Sequence, residues 1–299
     1  MMFQQISDSC YYHHSSVNIG YVHKDDTGLL IDSGIDRSSV KKVLKELEKR
    51  QLPLTHLFIT HAHADHYGGA SYVQSAYNVH TSASVLEEAV LSNPILEPLY
   101  LFSGVEPLDG LRNKFLEGPP VRIDRVVDEG EVAFGCLKTE LMLLPGHSHH
   151  QLALKTADIL FAADSYFSLE TLQKHRIPFL VDAGKTIHSL ERLLDLQISG
   201  AVPGHGAFEK DPSETIRQNI LYHQQMLDAV QAEVAANGEI THEALIANLC
   251  ERYDIQASSL GQWLLYRTAV TAYAVTLTKA GSIESRLNHH KWVFSSISR

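Results

Sequence analysis

The chain has 299 residues, 44% hydrophobic and 20% charged, which suits one large globular domain or one with an appendage. Its 25 Lys and Arg against 35 Asp and Glu give a net charge of −10, which argues against broad binding to a phosphate backbone. Cys10, Cys136 and Cys250 form no disulfide framework, no signal peptide is visible, and no segment has the roughly 20 apolar residues of a membrane span, so a cytoplasmic protein is expected.

Val17–Val22 and Leu29–Ile31, separated by Lys24-Asp25-Asp26-Thr27-Gly28, read as a hairpin ending in the turn Asp32-Ser33-Gly34. Helical spacing of Val40, Val43, Leu44 and Leu47 predicts a helix over 37–50. Leu54–Ile59 reads as a strand, 68–77 as a helix, Val79–Thr81 as a strand and Ser84–Leu91 as a helix. Residues 92–128 carry five prolines around the apolar knot Leu99-Tyr100-Leu101-Phe102. Such a segment reads either as a lid or pocket wall, or as a surface excursion packing on its own domain.

Strands return from about residue 130: Leu141–Leu144, then a hairpin of Leu152–Lys155 and Ile159–Ala163. A helix at 186–196 precedes the short strand Gly200–Val202. In the tail, Asp211-Pro212-Ser213-Glu214 starts a helix that stops at Asn237-Gly238. A second helix starts after Thr241, a third spans about 260–279, and a hairpin closes around Asn288-His289-His290-Lys291. Two domains are expected: a catalytic one over 1–210 and a helical, winged-helix-like one over 211–299.

The chemistry concentrates in Thr60-His61-Ala62-His63-Ala64-Asp65-His66. Imidazoles and a carboxylate crowded together repel when charged and leave polar atoms unsatisfied when buried. A divalent ion removes both problems, because neutral imidazole and carboxylate oxygen are ligands it prefers. Further isolated groups each follow a short apolar strand: Asp32, His147 after Pro145-Gly146, Asp164, and His205 after Pro203-Gly204. Strand ends that share one rim are where α/β layers build sites.

In this order, Asp32, then His61, His63, Asp65 and His66, then His147, Asp164 and His205 resemble the signature of the metallo-β-lactamase superfamily. The resemblance implies an α/β fold, a four-layer αββα sandwich with the site at one edge. It also implies two divalent ions, with zinc expected and manganese, iron, cobalt or nickel acceptable to the same ligands. His61, His63 and His147 would hold one ion, Asp65, His66 and His205 the second, and Asp164 would bridge. A hydroxide between the ions would be the nucleophile, with Asp65 and Asp164 as catalytic carboxylates, and Asp32 would tether a ligand histidine or its loops. Many members carry a histidine four residues after the third-motif histidine; this chain has Gln151 there. Tyr166, His149 and His150 are candidates for the substrate pocket.

The layout looks most like the β-lactamase-like-protein-2 and hydroxyacylglutathione hydrolase group. The expected reaction is hydrolysis of a carbonyl compound, a thioester or lactone, so the expected partner is a small molecule. Rivals with the same site are an endoribonuclease or phosphodiesterase acting on single-stranded nucleic acid, and a mononuclear iron persulfide dioxygenase. Arg286, Lys291 and Arg299 against Glu284 give the tail a slight basic bias, the one place where nucleic acid would bind. No membrane partner is expected, and a homodimer is left open.

Overall fold

The computed structural model describes residues 2–297. The first sheet holds seven strands in spatial order: β1 (Met2–Gln5), β2 (Cys10–His14), β3 (Ile19–Lys24), β4 (Thr27–Ile31), β5 (His56–Phe58), β6 (His80–Ala83) and β7 (Arg125–Val126). Strands β1 to β4 are antiparallel neighbours, and β4 to β7 are parallel. The second sheet runs β12 (Gly200–Pro203), β11 (Ile159–Ala163), β10 (Leu152–Thr156), β9 (Leu137–Leu143) and β8 (Gly130–Phe134), with only β11 and β12 parallel.

Parallel neighbours need crossovers, and helices provide them. α1 (Arg37–Lys49) joins β4 to β5. α3 (Ala70–Ala76) is the helix expected over 68–77; α2 (Ala64–Tyr67), not anticipated, precedes it across Gly68-Gly69, and the two join β5 to β6. α4 (Val85–Ser92) and α5 (Leu96–Leu101) open the excursion toward β7. α6 (Leu169–His175) and α7 (Ala183–Leu194) lie between β11 and β12.

Alternation along each strand sets the layers. Leu29, Ile31 and Phe58 point between the sheets, where they meet Leu141, Leu152 and Phe161. Leu30 and Leu57 point outward, under Val40, Val43, Leu44 and Leu47 of α1. Ala153, Leu160 and Ala162 face outward on the other sheet, under Leu190 and Leu193 of α7. The sequence of layers is helix, sheet, sheet, helix.

The tail comprises α8 (Ser213–Asn237), β13 (Glu239–Thr241), α9 (His242–Arg252), α10 (Leu260–Lys279), β14 (Ile283–Asn288) and β15 (Lys291–Ser296). Strand β13 was not anticipated; it pairs with β15 and turns the expected hairpin into a three-stranded sheet. Val230, Leu245, Val270, Tyr273 and Phe294 form the tail's own core, joined by Ile177 and Leu180 from the loop before α7. The excursion also rests on the tail: Leu101, Leu111 and Leu116 pack against Leu264 of α10. Arg267 of α10 donates to the Leu101 carbonyl and to Ser103 Oγ. Among the described residues, no helix is long and apolar enough to cross a membrane.

His223 of α8 is buried, with Nδ1 2.7 Å from the Tyr273 hydroxyl of α10. Burial, with a smaller contribution from His147, lowers its pKa from 6.5 to about 4. The unfolded chain then takes up this proton near pH 6.5, the folded chain only near pH 4. His223 therefore lowers stability as pH falls between those values, by up to about 3 kcal/mol. Urea denaturation of the wild type and His223→Gln at pH 7 and pH 4 is expected to show the wild type losing that much more.

Candidate metal centre

Every candidate ligand stands just past a strand. His61 and His63 follow β5, and Asp65 and His66 lie on α2. His147 follows β9, Asp164 follows β11, and His205 follows β12. The strands come from both sheets and deliver these loops to one rim. His61, His66, His147 and Asp164 are buried, and His63, Asp65 and His205 are half-buried at the mouth.

The rings are oriented by oxygen acceptors behind them. His61 Nδ1 lies 3.0 Å from Thr60 Oγ1, and His66 Nδ1 lies 2.8 Å from Asp32 Oδ2. His147 Nδ1 lies 3.1 Å from the Phe179 carbonyl, and His205 Nδ1 lies 2.7 Å from the Ser16 carbonyl. A carbonyl or carboxylate oxygen can only accept, so Nδ1 carries a proton in those rings, and in the neutral ring Nε2 presents a lone pair to the centre. Outer oxygens that orient imidazoles in this way are characteristic of metal-ligating histidines.

The inward atoms converge. His147 Nε2 is 2.9 Å from His63 Nδ1. Asp164 Oδ1 is 3.3 Å from His66 Nε2, and Asp164 Oδ2 is 3.4 Å from His147 Nε2 and 3.2 Å from His205 Nε2. Asp65 Oδ2 is 3.5 Å from His205 Nε2. His61 with His63 and His147, His61 with His66 and Asp164, and Asp65 with His66 and His205 each gather their ligand atoms within 4.8 Å. His61 Nε2, His66 Nε2 and Asp164 Oδ1 are buried without a hydrogen-bond partner. Buried polar atoms normally have partners, and nitrogen and carboxylate donors left this way fit a divalent cation.

Electrostatics divide the centre. Loss of hydration, with repulsion from neighbouring imidazoles, lowers His61 well below its usual range. Loss of hydration also lowers His63 to about 4 and His147 to about 3, so all three are neutral ligands at pH 7. Burial opposes charge on His66 and His205 too, but there the carboxylates prevail. Asp164, Asp65 and Asp32 raise His66 well above its usual range, and Asp164 and Asp65 raise His205 to about 8. Against the burial penalty, His205 and His66 hold Asp164 well below the usual carboxylate range. A field that favours positive charge at this point also favours a bound cation.

The profile of the metallo-beta-lactamase superfamily matches residues 14–205, well over half of the chain. The chain belongs to the metallo-beta-lactamase superfamily. A hydroxyacylglutathione hydrolase of Rhodopseudomonas palustris strain BisB18 is 30% identical over 155 residues, 51% of this chain and 49% of that protein. A probable metallo-hydrolase of Bacillus subtilis strain 168 is 26% identical over 152 residues, 50% of this chain and 66% of that protein. The match thus spans about half to two thirds of these relatives' lengths. In fold, a beta-lactamase domain protein from Burkholderia ambifaria superposes with a TM-score of 0.73 at 17% identity, covering 99% of this chain and 93% of that one. A metallo-beta-lactamase family protein from Thermus thermophilus gives 0.72 at 17% identity, covering 94% of each chain.

Several side chains of this superfamily member serve the centre from behind. Asp32, at a strained φ of 61°, accepts from Thr60 N, Thr60 Oγ1 and His66 Nδ1 and so ties β4 to the histidine run. Gln151, where many members have histidine, accepts the Asp164 backbone N–H through Oε1. Asn18 Nδ2 donates to the carbonyls of Pro203 and Gly206, on either side of His205. Gly204 must be glycine, because a Cβ there would lie 1.9 Å from Asp164 Oδ1.

The pocket candidates separate. His149 is exposed at the mouth and lines it. The His150 backbone is held by Glu87 and Ser84, and its ring does not line that cavity. Tyr166 is corrected: its ring is buried under the second sheet with Leu160, Leu190 and Ile216, away from the mouth. Ala163 adopts a φ of 50° and Ser165 N bonds back to the Ala162 carbonyl, so the chain turns sharply and carries Tyr166 into the core. Phe167 comes to the centre instead, 5.6 Å from the His147 ring and 6.0 Å from the His205 ring. Phe179 flanks His63 and His147 at 5.3 and 5.8 Å.

Glu87 was not anticipated. Its buried carboxylate accepts from Ala62 N at 2.8 Å, Ser148 Oγ at 2.7 Å and His150 N at 3.0 Å. It thereby clamps the His61–His63 loop to the His147 loop. Its spacing after Ser84 suggests a helix-capping box, a pattern that conceals this use. Asp32→Ala and Glu87→Ala are each expected to weaken zinc affinity about 10–100-fold. Competition against a chromophoric chelator measures this, with circular dichroism as the check on folding.

Proposed function

We propose that this metallo-hydrolase cleaves a carbonyl compound, a thioester or a lactone, at a two-ion centre. The observation that carries the reading is the full donor set, His61, His63 and His147 beside Asp65, His66 and His205, with Asp164 between them. One group would hold each ion and Asp164 would be shared. Bound divalent ions would lower the pKa of a water and polarise a carbonyl oxygen.

The chain's own groups supply the rest. Asp65 has a side chain 33% exposed at the mouth, so it can meet substrate and accept the proton of the attacking water. Thr60, Asp32 and the carbonyls of Phe179 and Ser16 keep the imidazoles from rotating. Phe167 and Phe179 limit water around His63 and His147. The hydroxyacylglutathione hydrolases among the relatives support the thioester choice.

A nucleic-acid reading draws less support. The chain carries −10, and Arg286 of the tail is paired with Glu239. Arg299 lies outside the described residues. The single-iron dioxygenase reading leaves Asp65, His66 and His205 without a task.

The test is an activity panel on metal-reconstituted protein: acyl thioesters, homoserine lactones, a bis-phosphodiester and short RNA. Carbonyl hydrolysis is expected, abolished in Asp164→Ala and reduced about 10²–10⁴-fold in kcat in Asp65→Asn. Turnover of phosphodiester or RNA without carbonyl hydrolysis would overturn the reading.

A further inference from the structure

The mouth of the centre has two chambers of opposite character. The first is a slot of about 440 Å³. Leu86, Ala89 and Val90 of α4 face Leu96 and Leu99 of α5 across it, and His63 is on its floor. Leu86 is 51% exposed and Leu96 37%. Large apolar side chains left open to water in a concave patch mark a binding groove for apolar matter. The one carboxylate on the slot wall, Glu87, is fully engaged by Ala62, Ser148 and His150 and offers nothing to a ligand.

The second chamber, about 540 Å³, meets the first at Tyr100, His149 and Val181. It lies against the tail, where His242, Trp263, Arg267 and Trp292 line it. Its wall is mixed: indole and imidazole faces, with His242 stacked on Trp292 at 4.8 Å, beside a guanidinium and the Glu243 carboxylate.

We infer that the substrate is a medium-chain aliphatic acyl thioester of a polar thiol. The acyl chain lies in the α4–α5 slot and the thiol in the chamber against the tail. This rests on the carbonyl reading and narrows it. His63 lines the apolar slot, and the polar chamber opens from that slot at Tyr100, His149 and Val181, so a thioester at His63 can lay one arm along α4–α5 and pass the other beyond His149. A compact hydroxy acid would leave the slot unfilled. A lactone has no separate leaving group to occupy the second chamber. In the reaction, water oxygen bonds to the acyl carbon, the carbon–sulfur bond breaks, and the proton from water leaves with the thiol.

The test uses N-acetylcysteamine thioesters of acetic, butyric, hexanoic, octanoic and decanoic acids with metal-reconstituted full chain. The expected result is a kcat/KM rising about 10–100-fold from acetyl to octanoyl, mainly through KM, since each methylene moved from water to an apolar slot favours binding. Ala89→Trp narrows the slot and is expected to cut the octanoyl-to-acetyl ratio at least about tenfold. Leu86→Asp, at a half-exposed position where folding tolerates a charge, is expected to lower the same ratio. Calorimetry with decanoate gives a readout without turnover: the wild type binds it more tightly than acetate, and both variants lose the difference. A flat chain-length profile with turnover, or decanoate binding unaltered in both variants, overturns this inference and leaves the carbonyl reading intact. No thioester turnover at any length overturns this inference, and it overturns the carbonyl reading only when the homoserine lactones of the panel also stay intact.

Discussion

Asp164 holds three imidazole nitrogens, from one short helix and two loops, within 3.2–3.4 Å of one buried carboxylate. A buried charge is tolerated only when it is closely compensated. That requirement brings the ends of β9, β11 and β12 and helix α2 to the same point, although they come from two sheets. It also dictates local backbone. Ala163 takes a left-handed conformation just before the carboxylate, the β11–β12 register shifts between Phe161 and Ala163, and glycine is obligatory at 204. The sandwich supplies rigid strands, and the irregularities fall where the charge sits.

Around this hub, four of the five imidazoles depend each on a different part of the chain for their orientation. Asp32 comes from the end of β4, Thr60 from the run itself, Ser16 from the β2–β3 turn and Phe179 from the loop before α7. Glu87 adds a tie between two ligand loops from α4. The centre is thus supported by distant segments, and loosening any one support moves a ligand without removing it. The tail contributes none of these atoms. It holds the excursion, which in turn walls the mouth.

Much of this was legible in the chain. The histidine run announces the centre because such crowding has few other physical explanations. Helix α1 buries the four residues its spacing indicates, and the tail helices begin and end near their capping signals. What stayed hidden depends on direction and long-range pairing. Strands β1 and β2 are short and rich in Gln, His and Tyr, and their burial comes from ring packing such as Phe3 on Tyr11. Strand β13 exists because β15 lies beside it more than fifty residues later. Phe167 rather than Tyr166 reaches the centre because of a turn at Ala163 that spacing does not encode.

The strut between Arg267 and the Leu101 carbonyl spans 166 positions of sequence. During synthesis, His205, the last candidate ligand, leaves the ribosome well before α10. The strands of the sandwich and all the candidate ligands are then out while the excursion still lacks its anchor. Until α10 arrives, Leu101, Leu111 and Leu116 have no Leu264 to cover them, and such transient apolar surface invites aggregation. The loop that carries Phe179 is likewise uncovered until the tail core closes on Ile177 and Leu180, so the mouth is completed by the last third of the chain.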